Sequence, residues 1–361
     1  MNSTLLRAFR EQIIPWYEAH QRDLPWRQTA DPYAIWLSEI ILQQTRVQQG
    51  LPYFVKFIQH FPSIKDLALA HEDEVFNLWQ GLGYYSRARN LHKGAQWIVE
   101  QHGGQFPSTY EGLLHIPGVG PYTAAAIASF AFQVPKAAVD GNVLRWTSRV
   151  FGSDAPIDLP ATRNMIQNEL DLWIQECPPH TFNQASMEFG ALICTPQPKC
   201  MLCPIQDHCA SLRTGNTRDL PIKSKKTKVE EKHLYALFIQ NNKGEMVIEK
   251  RPSGGIWGQL YTFPMELVDQ VFTTQELQVW AQQKGLPKKL SKQLQNPYLT
   301  QHLLTHRRIK VHIFSILLEN MPKNASIFER WISVKDAANI GVPKVFETYL
   351  KTQFPEYAGL I

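Results

Sequence analysis

The chain has 361 residues, 44% of them hydrophobic, and a formal net charge of +5. This length favours two domains with ordinary apolar cores. No apolar run approaches the roughly 18 residues of a membrane span, and the charged N-terminus lacks the apolar stretch of a signal peptide. We therefore expect a cytoplasmic protein with no membrane partner. Its basic charge permits a nucleic-acid partner but does not establish one.

Residues 1–215 are predicted to form an almost entirely helical region. Apolar residues recur at three- and four-residue spacing, and proline or glycine interrupts them, as at Pro32, Gly81 and Gly83.

Glu39 is the first candidate for a catalytic residue. It falls in the middle of the apolar face of a helix that Asp31 and Pro32 open. Burial there would raise its pKa towards that of a useful general acid. Spacing alone equally allows a structural glutamate paired with Arg46.

Residues 113–128, LLHIPGVGPYTAAAIA, predict a helix–hairpin–helix. Gly118, Val119 and Gly120 form a tight turn between an apolar helix and a helix of small residues. The free N–H groups at the second helix's N-terminus favour a site for a DNA phosphate. An ordinary helical hairpin packed on alanines is the alternative.

Asp140 follows an apolar run and precedes Gly141, Asn142 and a new helix. This position predicts a helix N-cap. A capped aspartate stays ionised, so it can also face a substrate.

Four cysteines fall within residues 194–209: Cys194, Cys200, Cys203 and Cys209. Only one other cysteine, Cys177, occurs in the chain, which argues against a secreted disulfide framework. The C-x5-C-x2-C-x5-C spacing favours a [4Fe–4S] cluster, with each thiolate on one iron. Zinc is the alternative, although its sites usually contain two separated C-x-x-C pairs.

The stretch at residues 216–231 is polar and lysine-rich, and it predicts a linker. The favoured interpretation is a solvated connector, and the alternative is a segment whose lysines contact the phosphates of a nucleic acid. Short β-type runs at residues 234–240, 245–251, 259–264 and 310–317, and one helical segment at 272–285, predict an α+β module over residues 232–361.

The order of these motifs resembles the endonuclease III-like DNA glycosylases. More narrowly, it is similar to the adenine DNA glycosylases (MutY type), which remove adenine mispaired with 8-oxoguanine. The similar stretches are PWR at 25–27, WLSEIILQQTRV at 36–47, GLGYYSRARNL at 81–91, the hairpin, VDGNVLR at 139–145 and NQASMEFGALICTP at 183–196, followed by the cysteine loop.

The resemblance implies a monofunctional glycosylase. Glu39 would protonate adenine, Asp140 would stabilise the cationic sugar or a covalent intermediate, and Asn142 would bond nearby. Tyr122 would contact the sugar or the attacking group. It stands where strand-cutting relatives have a lysine that forms a Schiff base. A pyrimidine-damage glycosylase and lyase of the endonuclease III type is the alternative function.

The resemblance also implies a partner, duplex DNA with adenine opposite 8-oxoguanine or guanine. The protein would act as a monomer at the nucleoid. An adenine pocket would contain Arg22, Trp26, Arg27 and Gln184, and Gln44, Leu82 and Tyr84 would fill the gap left by the extruded base. Glycines beside Leu82 and Tyr84 favour exposed side chains, and packing in the core is the alternative.

The C-terminal module resembles the Nudix-like domain of the same family. GGIWGQLYTFP at residues 254–264 matches the sequence pattern of that domain. The carboxylate cluster that a Nudix hydrolase needs to bind a divalent metal does not follow it. The family's lesion-recognition triplet, F-S-H, aligns with Leu304, Thr305 and His306. The cysteine loop also departs from the family, because five residues instead of six separate its first two cysteines.

Overall fold

The structure is a computed structural model that describes residues 3–224, 229–304, 306–318 and 330–359. The chain divides into two compact units. The first comprises Met1–Leu69 and Asn90–Lys226, and the second comprises Ala70–Arg89 and Thr227–Ile361. Among the described residues, no helix combines the length and apolarity needed to cross a bilayer.

The first unit is helical. Its elements are α1 (Ser3–Ala8), a π-helical turn (Phe9–Ile13), α2 (Ile14–His20), a 3-10 turn (Pro25–Arg27), α3 (Pro32–Leu42), α4 (Val47–His60) and α5 (Ile64–Leu69). After α6 (Glu72–Leu78) of the second unit come α7 (Ser86–His102), α8 (Tyr110–Leu114), α9 (Pro121–Phe132), α10 (Gly141–Phe151), α11 (Pro160–Trp173), a 3-10 turn (Ile174–Glu176), α12 (Pro179–Leu192), 3-10 turns at Cys200–Leu202 and Gln206–His208, and α13 (Ala210–Thr214).

The second unit contains the strands β1 (Glu230–Asn241), β2 (Glu245–Lys250), β3 (Tyr261–Thr262), β4 (Met265–Val268), β5 (Tyr298–Leu304), β6 (Arg307–Leu318) and β7 (Arg330–Ser333). Its helices beyond α6 are α14 (Thr274–Gln283), α15 (Lys288–Ser291), α16 (Val334–Ala337), α17 (Lys344–Gln353) and α18 (Pro355–Ala358).

An aromatic cluster lies at the centre of one core of the first unit. The ring of Phe9 lies 4.8 Å from that of Phe182 and about 6 Å from those of Trp146 and Trp173, measured between centroids. All four side chains are buried. Burying rings of this size makes a large hydrophobic contribution, so the cluster joins the N-terminal segment to α10, α11 and α12.

A mixed sheet forms the centre of the second unit. Its strand order is β3-β2-β1-β6-β5, with β4 also pairing with β1 and β7 with β2. Strands β1 and β6 are parallel, and the other pairs are antiparallel. One face packs against α17 through Phe346 and Tyr349, and the other against α14 through Trp280. Helices on both faces explain why residues 234–239, in the middle of β1, form a continuous apolar run.

The helical region predicted for residues 1–215 is not one compact unit, because residues 70–89 pack with the second unit. The Tyr85 hydroxyl donates a hydrogen bond to the carbonyl of Val342, and Arg89 donates one to the carbonyl of Gly258. These bonds join segments far apart in the sequence, which local periodicity does not report.

The hairpin between α8 and α9 depends on Gly118. Its φ of 80° lies in the left-handed region, and a Cβ added there would be 2.5 Å from Cβ of Asn90. The first helix of the hairpin, α8, ends at Leu114.

We expect Gly118→Ala to lower the free energy of unfolding by about 2 kcal/mol, because it adds both backbone strain and a steric clash. Urea titration followed by circular dichroism measures this. Gly120→Ala is the matched control, since no atom lies within 4 Å of its added Cβ. Equal stability of the two variants would contradict the prediction.

Candidate active site

A cleft of about 1140 Å³ opens in the first unit, and we call it the Glu39 cleft. Helices α3, α9, α10 and α12 supply its walls. It gathers most of the site residues predicted from the sequence: Arg22, Trp26, Arg27, Glu39, Gln44, Gly118, Gly120, Tyr122, Asp140, Asn142 and Gln184.

Glu39 lies on the best-buried helix of the cleft. Asp31 caps α3 by accepting hydrogen bonds from the backbone N–H groups of Tyr33 and Ala34, as predicted. Every residue from 33 to 41 is buried, and Glu39 itself is 8% exposed. Burial raises the pKa of its carboxyl to about 7, against the lowering effect of a hydrogen bond with Tyr122.

The alternative partner for Glu39, Arg46, is not used. In the part of the chain that the structure describes, no ion pair joins the two residues, and Arg46 is an exposed residue that precedes α4. The carboxyl of Glu39 instead faces Tyr122 and Asp140.

Tyr122 is the second residue of α9, at the start of the hairpin's second helix. Its hydroxyl also lies 3.2 Å from Sδ of Met187. Burial and the nearby carboxylates Glu39 and Asp140 raise its pKa well above the usual value. Tyr122 therefore stays protonated and supplies a hydrogen-bond donor.

Asp140 is the N-cap of α10, as the sequence predicts. One carboxylate oxygen accepts a 2.7 Å hydrogen bond from the N–H of Val143, and the other accepts one of 2.7 Å from Nδ2 of Asn142. Burial raises the pKa of Asp140, while these bonds and the charge of Arg145 act in the opposite direction.

Arg145 connects this pair to the cysteine loop. Its Nη2 donates to Oδ1 of Asn142 at 2.8 Å and to the carbonyl of Gly190 at 2.7 Å, and its Nε donates to the carbonyl of Cys194 at 2.8 Å. A single guanidinium thus fixes the orientation of Asn142, and through it that of Asp140.

Glu188 is a residue of the cleft that the sequence reasoning missed. Its side chain is 1% exposed and accepts five hydrogen bonds from Arg22 and Arg27. Burial alone would raise its pKa, but these bonds lower it to about 2. Glu188 lies one helical turn after Gln184 on a largely buried helix, and this spacing is the signal that points to it.

The two remaining pocket residues are packed on the same walls. Gln184 is buried on α12, and Trp26 is buried with its ring 5.1 Å from that of Phe54, edge to face. All four predicted pocket residues therefore line the Glu39 cleft, and their side chains also pack or hydrogen-bond within its walls.

The hairpin turn presents backbone to the cleft. Val119 is buried and its N–H bonds to the carbonyl of Ile116, so Gly118 and Gly120 are the exposed backbone of the turn. Gly120 precedes α9 and provides no side-chain cap. The first N–H groups of α9 are therefore available to an anion.

The three predicted intercalating residues differ in exposure. Gln44 is exposed with φ of 55°, and Tyr84 is 47% exposed with φ of 47°, a backbone conformation that such residues rarely adopt. Leu82 is only 6% exposed, so the prediction that flanking glycines expose it is wrong. Gly81 and Gly83 have positive φ and turn the chain so that Leu82 points inward.

A second cavity, of about 490 Å³, lies within the second unit, and we call it the Trp257 cavity. Tyr84, Leu304 and His306 all line it. Leu304 is the last residue of β5 and pairs with Arg307 of β6, so Leu304 and His306 of the predicted recognition triplet lie at the tip of a hairpin. Thr305 lies outside the described residues.

The cysteine loop packs on the core of the first unit. Cys194 is buried, and Cys203 and Cys209 contact the same apolar cluster. Cys203 interacts electrostatically with the other three thiols, and Nη1 of Arg149 lies 3.5 Å from Sγ of Cys194. Among the described residues, no group of three or more histidines, cysteines or carboxylates is arranged to hold a metal ion.

Two family models match the chain. The model of the HhH-GPD superfamily of base excision DNA repair proteins matches residues 37–175, and that of the NUDIX domain matches residues 235–352. These matches confirm the predicted fold class: a helical helix–hairpin–helix region followed by a Nudix-like α+β domain.

Solved structures agree on the helical part. A thermostable thymine-DNA glycosylase superposes with a TM-score of 0.55 at 29% identity, covering 58% of this chain and 98% of that one. A trapped covalent intermediate of endonuclease III with DNA gives a TM-score of 0.50 at 20% identity, over 60% of this chain and 99% of that one, and shows the same fold.

Curated relatives match more than nine tenths of this chain. The chain is 33% identical to an adenine DNA glycosylase of Buchnera aphidicola (subspecies Baizongia pistaciae), over 93% of this chain and 94% of the relative. It is 33% identical to an adenine DNA glycosylase of Mus musculus, over 95% of this chain and 78% of the relative. The chain therefore belongs to the adenine DNA glycosylase family.

Proposed function

We propose that this protein is a monofunctional DNA glycosylase that extrudes adenine paired with 8-oxoguanine or guanine and hydrolyses its N-glycosidic bond. The observation that carries the proposal is the carboxyl of Glu39, which is buried in the Glu39 cleft with a pKa of about 7. A carboxyl of this pKa is protonated in an appreciable fraction of molecules at neutral pH and can act as a general acid.

The first role belongs to Glu39. Adenine is a poor leaving group as an anion, so its departure requires a proton on the base. Glu39 donates that proton, and the Tyr122 hydroxyl stabilises the carboxylate that remains, because Tyr122 already bonds to it.

The second role belongs to Asp140. As the base leaves, the sugar develops positive charge, which a nearby carboxylate stabilises. Hydrogen bonds from Val143 and Asn142 favour the ionised form of Asp140 even though burial disfavours it. The two carboxyls thus have different tasks because their hydrogen-bond partners differ.

The cleft supports hydrolysis rather than strand cutting. A lyase step requires an amine that forms a Schiff base with the sugar. Among the described residues that line the Glu39 cleft, none is a lysine, and its cationic residues are arginines. Tyr122 stands at the start of α9, where the alternative function would require the amine.

The proposed adenine pocket contains Glu188, Arg22 and Arg27, which we call the Glu188 cluster. Glu188 holds Arg22 and Arg27 in place through paired hydrogen bonds, at 2.6 and 2.8 Å for the closest contacts. With Gln184 and Trp26, they give the pocket polar groups on an aromatic and apolar wall. Such an arrangement suits a flat, polar base taken out of the stack.

Duplex DNA is the proposed partner, bound by a monomer at the nucleoid. The N–H groups at the start of α9 and the turn at Gly118 and Gly120 would bind a phosphate. Gln44 and Tyr84 would fill the gap in the stack, and Leu82 would reach it only after a local rearrangement. The tip at Leu304, Thr305 and His306 would recognise the opposing lesion.

The cysteine loop is the proposed site of a [4Fe–4S] cluster held by Cys194, Cys200, Cys203 and Cys209. The chemistry of the donor set supports this proposal, because Cys203 interacts electrostatically with the other three thiols and the cationic Arg145 and Arg149 lie near Cys194. When bound, the cluster would cross-link the loop next to the cleft. A zinc ion is the alternative occupant.

We expect Glu39→Gln to lower the single-turnover rate of adenine release by about 10² to 10⁴-fold, because the amide cannot donate a carboxyl proton. Quenched assays on a duplex with adenine opposite 8-oxoguanine measure the rate, and strand breaks should appear only after alkali. Glu100→Gln, an exposed change on α7, is the control. A near-normal rate in Glu39→Gln would remove Glu39 as the acid.

The rate of adenine release should fall as the pH rises through about 7, since the raised pKa makes the protonated form of Glu39 dominant only below that value. Above its pKa the rate should decrease roughly tenfold per pH unit. Single-turnover rates between about pH 6 and pH 9 measure this profile. A rate that is level across this range would contradict the assignment.

Freshly purified protein should be brown, with an absorbance band at about 400 nm that an iron–sulfur cluster produces and zinc does not. Cys200→Ser should lose the band and the iron. Cys177→Ser, outside the loop, should keep both. A colourless wild-type protein containing zinc would contradict the cluster and support the alternative.

A further inference from the structure

The turn between α6 and α7 presents one exposed aromatic ring. Tyr84 is 47% exposed, whereas Trp79, Leu82 and Tyr85 around it are buried. Its φ of 47° lies in the left-handed region, where a residue with a large side chain is rarely found. Such a conformation persists only where neighbouring contacts maintain it, and it is common at binding sites. The contacts that hold this turn therefore determine where the ring lies.

Arg87, in the first turn of α7, supplies contacts of this kind. Its Nη2 donates hydrogen bonds of 3.3 Å to the carbonyl oxygens of both Leu82 and Gly83. The indole N–H of Trp79, which follows α6, donates a third bond, of 3.0 Å, to the same Gly83 carbonyl. Two side chains from the ends of the flanking helices thus fix the peptide that precedes Tyr84.

The guanidinium of Arg87 also contacts aromatic rings. Its Cζ lies 5.1 Å from the centroid of the Trp79 ring and 5.7 Å from that of Tyr84. A cation over an aromatic face is attracted by the ring, and more strongly where water is excluded. Arg87 is 8% exposed, and burial lowers its pKa to about 10, so it stays charged at neutral pH. The buried cation therefore attracts the ring of Tyr84 directly and also fixes its backbone.

Two unfavourable features of this turn occur together. An exposed aromatic ring gives up the free energy that its burial would contribute, and a buried guanidinium is desolvated. A turn that only connected two helices would need neither. A ring held outward by a fixed backbone is, however, preorganised to stack on a nucleobase, since little conformational freedom is lost when the base arrives.

We propose that Arg87 is a positioning residue, which fixes the turn so that the ring of Tyr84 is already presented for stacking before DNA binds. Arg87 does not touch the DNA and acts through Tyr84. The inference rests on the proposed function, in which Tyr84 fills the gap left by the extruded adenine. It adds the group that keeps Tyr84 exposed while Leu82, two residues earlier, stays buried.

The test measures base extrusion in a double-mutant cycle of Arg87→Met and Tyr84→Ala. The duplex contains an uncleavable 2′-fluoro adenosine opposite 8-oxoguanine, next to 2-aminopurine, whose fluorescence rises when its stacking is lost. We expect Arg87→Met alone to slow extrusion about tenfold, through loss of preorganisation. In the Tyr84→Ala background the same change should alter the rate by less than about twofold, because the ring that Arg87 positions is absent.

Arg7→Met is the matched control, because the side chain of Arg7 is 77% exposed, and it should leave the extrusion rate unchanged. Equal slowing by Arg87→Met in both backgrounds would overturn the proposal, since it indicates a general role in folding. So would a normal rate in the single variant. If Arg87→Met does not fold, Arg87→Lys provides the same comparison, because lysine keeps the charge but lacks the planar guanidinium.

A measurement without DNA separates this inference from the proposed function. Protein labelled with 3-fluorotyrosine is studied by fluorine NMR, and the Tyr84 signal is identified by its loss in Tyr84→Phe. Arg87→Met should shift or broaden this signal, and an unaltered signal would overturn the inference whatever the activity. If wild type extrudes and releases no adenine, the proposed function fails, yet a changed Tyr84 signal would still support Arg87 as the group that positions the ring.

Discussion

Exclusion of water from the carboxyl of Glu39 is the constraint on which the rest of the first unit depends. A carboxyl in water is ionised at neutral pH, and only its position on a fully buried stretch of α3 raises its pKa to about 7. The cap at Asp31, the packing of α3 on α4 and α9, and the hairpin that carries Tyr122 all maintain that environment.

Two buried carboxyls in the same cleft show why burial alone does not define a site. Glu39 has a hydroxyl and another carboxylate as neighbours, and its pKa is raised, whereas Glu188 has two guanidiniums and a pKa of about 2. The first can transfer a proton near neutral pH and the second cannot. Glu188 instead compensates the charges of Arg22 and Arg27, of which Arg27 would be costly to bury alone.

The second unit is built on a Nudix-like sheet. Helices cover both faces of the sheet, so the features left for recognition are its loops and the hairpin of β5 and β6. That hairpin was not predicted as a pair of strands, because YLTQHLL is half polar and lies at the sheet's edge. The segment 70–89 joins this unit through hydrogen bonds to Val342 and Gly258, which no local pattern encodes.

The sequence by itself determined the local features: the cap at Asp31, the glycine turn at Gly118, the cap at Asp140 and the strands β1, β2 and β6. Each of these follows from the spacing of neighbouring residues in the chain. Only the tertiary structure decided the hydrogen bond between Glu39 and Tyr122, the burial of Leu82, the Glu188 cluster and the ring contact between Trp257 and His302. These features depend on contacts between segments that are distant in the sequence. The hydrogen bonds and charge interactions among them are stronger where those contacts exclude water.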